Sequence, residues 1–285
     1  MTSVGRDSRA PATTSAPGDR PRLAVLIPVF SDQEGLERSL ASLALDGAEF
    51  DVFVVDDGSR RPITIPHTMP FQVRLLRQEP NQGITSALNA GLSVIAQGGY
   101  QYVARLDAGD VSLPGRFAAQ MEFLDRHPDH AALGTAARYV DTQGNVLFTY
   151  HPPLDHDALR RFSRYRPGLV HPSVMMRIRA LLACGFYRDE FPHGEDYDLF
   201  MRLARAYKLG NLSSTLIIKE ISPGSITSRR FPVAVSRVRL LWAYFDPRSI
   251  HSYAGLAINA ALILAPRGLM LRLKRLGRLR QAHRS

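Results

Sequence analysis

The stretch RLAVLIPVFSDQEGLERSL, residues 22–40, decides the fold. Five apolar residues, Leu23 to Ile27, run unbroken into Pro28. That is the length and composition of a strand buried on both faces, with the proline as its stop. Ser31 and Glu34 then have the spacing of a capping box, and Leu36, Leu40 and Leu43 repeat at helical intervals. A buried strand that turns directly into an amphipathic helix is the first half of a β–α unit.

The alternation continues. Strand-like runs at Asp51–Val55, Val73–Arg77 and Tyr102–Leu106 each end in polar turn residues, and Ile84, Leu88 and Leu92 mark a helix between them. A further helix is expected over Arg116–Arg126, halted by His127-Pro128. β-rich pieces follow at Ala131–Tyr139, Val146–Tyr150 and Ser173–Arg177, and an acid-led helix at Glu195–Tyr207. This pattern predicts one α/β domain over residues 21–228, with a mostly parallel central sheet flanked by helices. In such sheets ligands bind beyond the carboxyl ends of the strands.

Composition narrows the field. The chain has 285 residues, 45% of them apolar, enough for a large core. Its one cysteine, Cys184, excludes an intrachain disulfide and reads as a buried structural thiol in a reducing compartment. No Cys/His spacing resembles a zinc site. The net charge is +10, but from Arg229 onward the sequence carries 12 Lys and Arg and a single acid, Asp246, so the rest is close to neutral. A basic nucleic-acid-binding fold is therefore disfavoured. Residues 1–20, rich in Ser, Thr, Ala and Pro without an apolar stretch, are expected to form a disordered leader and not a signal peptide. No uninterrupted apolar run is long enough to span a membrane.

The strand ends carry the chemistry. The second strand runs into Asp56-Asp57-Gly58-Ser59, the next unit opens with Asn81-Gln82-Gly83, and the fourth strand ends in Arg105-Leu106-Asp107-Ala108-Gly109-Asp110. Carboxylates gathered on one sheet edge need a cation, hydroxyls or N–H donors beside them. A nucleoside diphosphate with Mg²⁺ or Mn²⁺ supplies all three. Rossmann and P-loop glycine patterns are both missing.

Six motifs occur in order: Pro28-Val29-Phe30, Val55-Asp56-Asp57-Gly58-Ser59, Asn81 and Gly83 through Ala87, Leu88, Asn89 and Gly91, Asp107 with Asp110, His171-Pro172-Ser173-Val174-Met175, and Glu195-Asp196-Tyr197-Asp198. Together they resemble the family 2 glycosyltransferases across residues 22–227. The resemblance implies a GT-A fold, a nucleotide-diphospho-sugar donor and hexosyl transfer with inversion. It implies that Pro28, Val29, Phe30, Asn81 and Gly83 line the nucleotide pocket. Asp57 would meet the base, Asp56 would lie near the ribose or support its turn, and Asp107 would lie by ribose and diphosphate. The family carries a second acid two positions after Asp107, and here that position is Gly109. Either Asp110 takes over the divalent cation, Asp107 holds it through water, or Asp110 merely caps the turn before Pro114.

Asp196 is the expected catalytic base, since inverting transfer needs one carboxylate to take the acceptor's proton. Glu195 and Asp196 open a helix whose dipole favours their ionised forms. Glu195 would orient acceptor or base, and His171 would stand near acceptor or diphosphate. Arg202 would support the site or simply pair with Asp198 on the helix surface.

In the basic extension, residues 229–285, Leu269, Leu273 and Leu276 share one helical face and Arg272, Arg275 and Arg278 another. This suits a helix lying on an anionic membrane surface, or one packed on the domain. The expected function is transfer of a single sugar to a glycan or lipid-linked glycan in cell-surface polysaccharide or glycolipid synthesis. The enzyme would be cytoplasmic, at the inner face of the membrane. The competing reading is a nucleotide-sugar or glycan-binding module with weak catalysis. A processive synthase is disfavoured, because no Q-x-x-R-W motif is present.

Overall fold

In β1 (Leu23–Val29), Ala24 and Leu26 face one core while Leu23, Val25 and Ile27 face another, and all five are fully buried. A period of two with both faces apolar requires a layer on each side of the sheet. The computed structural model describes residues 21–221 and 230–264, and it supplies those layers. After β1 come α1 (Gln33–Leu43), β2 (Phe50–Asp57), β3 (Val73–Gln78), α2 (Ile84–Gln97) and β4 (Tyr102–Arg105). Next are β5 (Val111–Ser112), α3 (Arg116–Arg126), β6 (His130–Val140), β7 (Val146–Tyr150) and α4 (His156–Phe162). A 3-10 turn at His171–Ser173 leads into β8 (Met175–Arg177), α5 (Ile178–Cys184), α6 (Glu195–Ala206) and β9 (Lys208–Glu220). Two helices, α7 (Arg230–Ala243) and α8 (Ile250–Leu264), follow.

The strand order is β3-β2-β1-β4-β8-β6-β9-β5, with β7 paired to β6. Strands β3, β2, β1 and β4 are mutually parallel. β8 runs antiparallel to both β4 and β6, and β9 is parallel to β6. The carboxyl ends of β1, β2, β4, β6 and β9 therefore share one edge. α1 and α3 cover one face through Leu36, Leu40, Phe117 and Leu124, while α2, α5 and α6 cover the other through Leu88, Leu92, Leu181 and Leu199.

Two local expectations change. Pro28 does not end β1, which continues to Val29 while paired to β2. β4 pairs with β1 only as far as Leu26–Arg105, so the proline's missing N–H falls beyond that ladder. Nor does Ser31 cap α1. Asp32 does, accepting from the Gly35 N–H at 2.9 Å, while the Ser31 N–H donates to Ser59 Oγ at 2.8 Å. The capping residue is one later than its spacing suggested because Ser31 ties β1 to β2's turn. β9 was not foreseen from the sequence, and Cys184 is half-buried and not fully enclosed.

Candidate active site

The turn after β2 is built around two acids with opposite tasks. Asp56 is fully buried and directed inward. It accepts from the Ser59 N–H at 2.9 Å and the Ile63 N–H at 3.3 Å, and it pairs with Arg77. Burial works against its charge, but the Ser59 and Ile63 donors and Arg77 outweigh it and hold the carboxyl below its ordinary range. Asp56 thus supports the turn and does not reach a ribose. Asp57 points to the neighbouring loop, accepting from the Gln82 N–H at 2.8 Å, the Gly83 N–H at 2.9 Å and Asn81 Nδ2 at 3.0 Å. These donors open α2, where unpaired N–H groups and the helix dipole attract an anion. Gly58 makes the approach possible. Its φ is +71°, and a Cβ there would lie 2.5 Å from the Asn81 nitrogen.

Pro28, Val29, Phe30, Asp57, Asn81 and Gly83 line one cleft of about 600 Å³ with Asp189, His193 and Glu195. Phe30 is 53% exposed at this cleft, an apolar ring offered to solvent. Such a face suits stacking against a planar base.

At the end of β4 the chain turns sharply over residues 107–110. Ser39 Oγ clamps this turn, donating to the Asp110 carbonyl at 2.8 Å and accepting from the Gly109 N–H at 3.0 Å. Arg105, fully buried, donates to Asp107 Oδ1 at 2.7 Å and to the Leu26 carbonyl at 2.6 Å. His171 Nε2 faces Arg105 Nε at 3.4 Å and the Tyr187 hydroxyl at 2.7 Å. Burial, then Arg105, pushes the imidazole down to about 3, so His171 is a neutral acceptor that braces Arg105 and Tyr187.

Glu195 and Asp196 stand in the first turn of α6, where Asp196 Oδ1 accepts from the Tyr197 N–H at 2.7 Å. Burial, with the adjacent Asp196, pushes Glu195 up to about 7. Burial also lifts Asp196 to about 6, with the Tyr197 N–H pulling the other way and the Asp107 charge adding to the rise. The helix dipole favours the ionised forms, but at ~0.3–1 kcal/mol it is smaller than the desolvation that raises both carboxyls. A carboxylate held near neutrality is suited to accept a proton.

The family model described as Glycosyl transferase family 2 matches residues 24–186. The chain belongs to glycosyl transferase family 2. A similar protein is an uncharacterized glycosyltransferase of Haemophilus influenzae, 27% identical over 201 residues, 68% of this chain and 72% of that one. Another is the amylovoran biosynthesis glycosyltransferase AmsE of Erwinia amylovora, 27% identical over 215 residues, 73% of this chain and 79% of its relative. Among solved structures, the mannosyltransferase PcManGT from Pyrobaculum calidifontis, in complex with GDP-Man and Mn²⁺, is similar with a TM-score of 0.59. It is 15% identical, covering 95% of this chain and 84% of that one. S. aureus TarS in complex with UDP-GlcNAc has a TM-score of 0.60 at 16% identity, covering 85% and 70%. The protein is a glycosyltransferase with a GT-A fold.

The mannosyltransferase neighbour was solved with Mn²⁺. In this chain, among the described residues, His127, Asp129 and His130 have ligand atoms within 4.8 Å of one another. That cluster opens β6, whereas the donor acids lie by the strand's far end, roughly 30 Å away at ~3.3 Å per residue. Asp107 and Asp110 do converge, as a metal pair would, but on a side chain. Lys219, at the end of β9, places its Nζ 2.9 Å from Asp110 Oδ2 and 3.3 Å from Asp107 Oδ2. With Arg105 on the other oxygen of Asp107, the two acids already face two fixed cations, and as arranged they do not fit a divalent ion. Asp110 does not cap the turn before Pro114.

Arg202 does pair with Asp198, at 2.8 Å, but the pair is buried and not on the helix surface. Its other N–H groups close the carbonyls of Cys184, Gly185 and Phe186, which holds the segment leading to Tyr187. It supports the site from behind, through the chain leading to Tyr187. Sequence reasoning missed Lys219, Arg105, Tyr187 and Arg237 of α7, whose charge faces Asp196. Lys219 left one trace, a cation closing the apolar run Leu216-Ile217-Ile218, as the acids close theirs.

Proposed function

We propose that this transferase moves one sugar from a nucleotide-diphospho-sugar to a hydroxyl of a glycan or lipid-linked glycan, with inversion, in cell-surface polysaccharide or glycolipid synthesis. One observation carries the reading. Acids and backbone donors from β2, the opening of α2 and α6 line one cleft with the exposed Phe30, and the charge of Asp107, after β4, acts on the neighbouring Asp196. The base would lie against Phe30 and the Asp57–Asn81–Gly83 loop, with ribose and diphosphate toward Asp107. The acceptor oxygen attacks the anomeric carbon as the bond to the diphosphate oxygen breaks. Asp196 takes the hydroxyl proton, and the diphosphate leaves with the bonding electrons. Glu195 orients the incoming hydroxyl. The donors of the neighbours, UDP-GlcNAc and GDP-Man, and the amylovoran role in the name of AmsE support the substrate class.

The reading extends to location, with the enzyme in the cytoplasm and the chain after residue 229 held against anionic lipid at the membrane's inner face. The nucleotide cleft and the catalytic acids would lie within residues 21–228, with α7 braced against them. Exposed apolar residues on α7 and α8 and the basic excess from Arg229 onward support this. Among the described residues no helix is long and apolar enough to cross a membrane. The basic segment 268–280 and the leader 1–20 lie outside the described residues.

Asp196→Asn tests the mechanism. Losing a general base costs on the order of 10²–10⁴ in rate. Transfer should fall by that much while UDP or GDP still binds. Wild-type turnover in this variant would remove Asp196 as the base.

A further inference from the structure

Three observations around the turn after β4 bear on how the donor's negative charge is balanced. The backbone at Gly109 has a φ of +94°, a left-handed conformation that an acidic L-residue would adopt only with strain. The turn is therefore shaped for glycine where the family pattern carries its second acid. The sheet then brings in a cation from the opposite end of the chain. β5 pairs antiparallel with β9, opposing Val111 and Ile218, so Asp110 and Lys219 are brought side by side. Finally, Lys219 Nζ is fixed between the two carboxylates, 2.9 Å from Asp110 Oδ2 and 3.3 Å from Asp107 Oδ2.

We propose that Lys219 is the resident cation of the donor site, meeting the diphosphate in the place where the family pattern puts a metal ion. This rests on the reading of the cleft as a nucleotide-sugar site. An ammonium has three N–H donors. Two go to Asp107 and Asp110, and among the described residues the third has no protein acceptor. The side chain keeps 23% of its surface exposed, which leaves it open to an anion from solvent. Asp107 and Asp110 fix the ammonium in position, while Arg105 balances Asp107 from behind. As the sugar leaves, the growing charge on the diphosphate oxygen meets a preorganised cation that needs no recruitment from solution. Lys binds phosphate as a point charge, so it substitutes for the electrostatic part of a metal's role. Donor binding is accordingly independent of divalent metal.

Calorimetric titration of the full chain with UDP, GDP, CDP and ADP, in EDTA and in Mn²⁺, tests this. The wild type should bind one of these nucleotides in EDTA about as tightly as in Mn²⁺. A charge-assisted hydrogen bond is worth ~1.5–3 kcal/mol, so Lys219→Met should weaken that binding by about 10- to 100-fold. Lys219→Arg, which keeps the charge, should recover most of the loss. Should Lys219→Met leave its buried acids too exposed to fold, the double variant Lys219→Met/Asp110→Asn removes the ammonium with one charge it neutralises, and should show the same weakening. Binding that needs Mn²⁺ in the wild type and ignores Lys219→Met would overturn the proposal while leaving the donor reading intact. No binding of any nucleotide in either buffer would remove the donor reading, and Lys219's role with it.

Discussion

Asp196 sits at the first turn of α6 with its carboxyl lifted to about 6, and two measurable quantities follow with opposite signs. As a base it works only when ionised, so transfer should rise with pH through about 6 and level off above. Glu195, lifted to about 7 and close by, should broaden that rise. Stability runs the other way. A carboxyl whose folded value exceeds its unfolded value of 3.8 binds its proton more tightly when folded. Its ionisation then costs stability as pH climbs from about 4 through about 6. Asp196→Asn removes that cost, so the variant should be more stable than wild type by ~1–2 kcal/mol at neutral pH. The gain should vanish near pH 4. Thermal melts of both proteins between these limits would show it, and a pH-independent difference would mean that burial does not set this carboxyl.

At the scale of elements, the nucleotide half depends on how closely the turn after β2 approaches the loop before α2. Gly58→Ala would put a methyl 2.5 Å from the Asn81 nitrogen and 2.9 Å from the Pro80 carbonyl carbon, so the loop must move and Asp57 loses its donors. The expected result is a destabilisation of ~1–3 kcal/mol together with weaker UDP or GDP binding. Gly99 has a φ of +80° and nothing within 4 Å of its would-be Cβ, so Gly99→Ala should cost about 1 kcal/mol and leave affinity unchanged. Denaturation and titration of the two variants side by side separate backbone strain from loop geometry. The same elements show what the sequence reveals. β1, β2 and β4 were legible because strands buried on both faces are written as unbroken apolar runs ending in polar turns. β9 was not, since KLGNLSSTLIIKE covers 13 residues and its pairing with β6 shifts register where Asn211 to Thr215 meet Gly134 to Ala136. Irregular pairing breaks the period of two, and with it the signal. Lys219 went unread for the same reason: its meaning comes from a pairing 109 residues away from Asp110.

Over the whole molecule, α7 and α8 are part of the site's scaffold and not loose appendages. Leu240 and Leu241 of α7 pack with Phe191 and Tyr197, and Tyr244 donates to Asp198 at 2.6 Å. The charge count concealed this, because a basic composition says nothing of which apolar residues face inward. α8 is amphipathic in the unusual sense. It buries Ser252 and Asn259, the latter donating to the Tyr165 carbonyl at 2.9 Å, and it presents Ile250, Tyr253 and Ile258 to solvent. Trp242 of α7 is 68% exposed. Trp and Tyr are favoured where an apolar body meets a wet polar boundary, and each Lys or Arg near an anionic leaflet adds about 1 kcal/mol. A membrane surface satisfies both features, and it would hold α6 and Asp196 close to a lipid-borne acceptor. The full chain should therefore float with phosphatidylglycerol vesicles, less so with phosphatidylcholine, and less again at high salt as charges are screened. Truncation at residue 228 is a poor probe, because it uncovers Phe191 and Tyr197 beside the catalytic helix. Trp242→Ser with Tyr253→Ser leaves that packing intact and should reduce flotation while UDP or GDP binding persists. If the wild type stays at the bottom of the gradient with anionic vesicles, the enzyme does not work at a membrane surface.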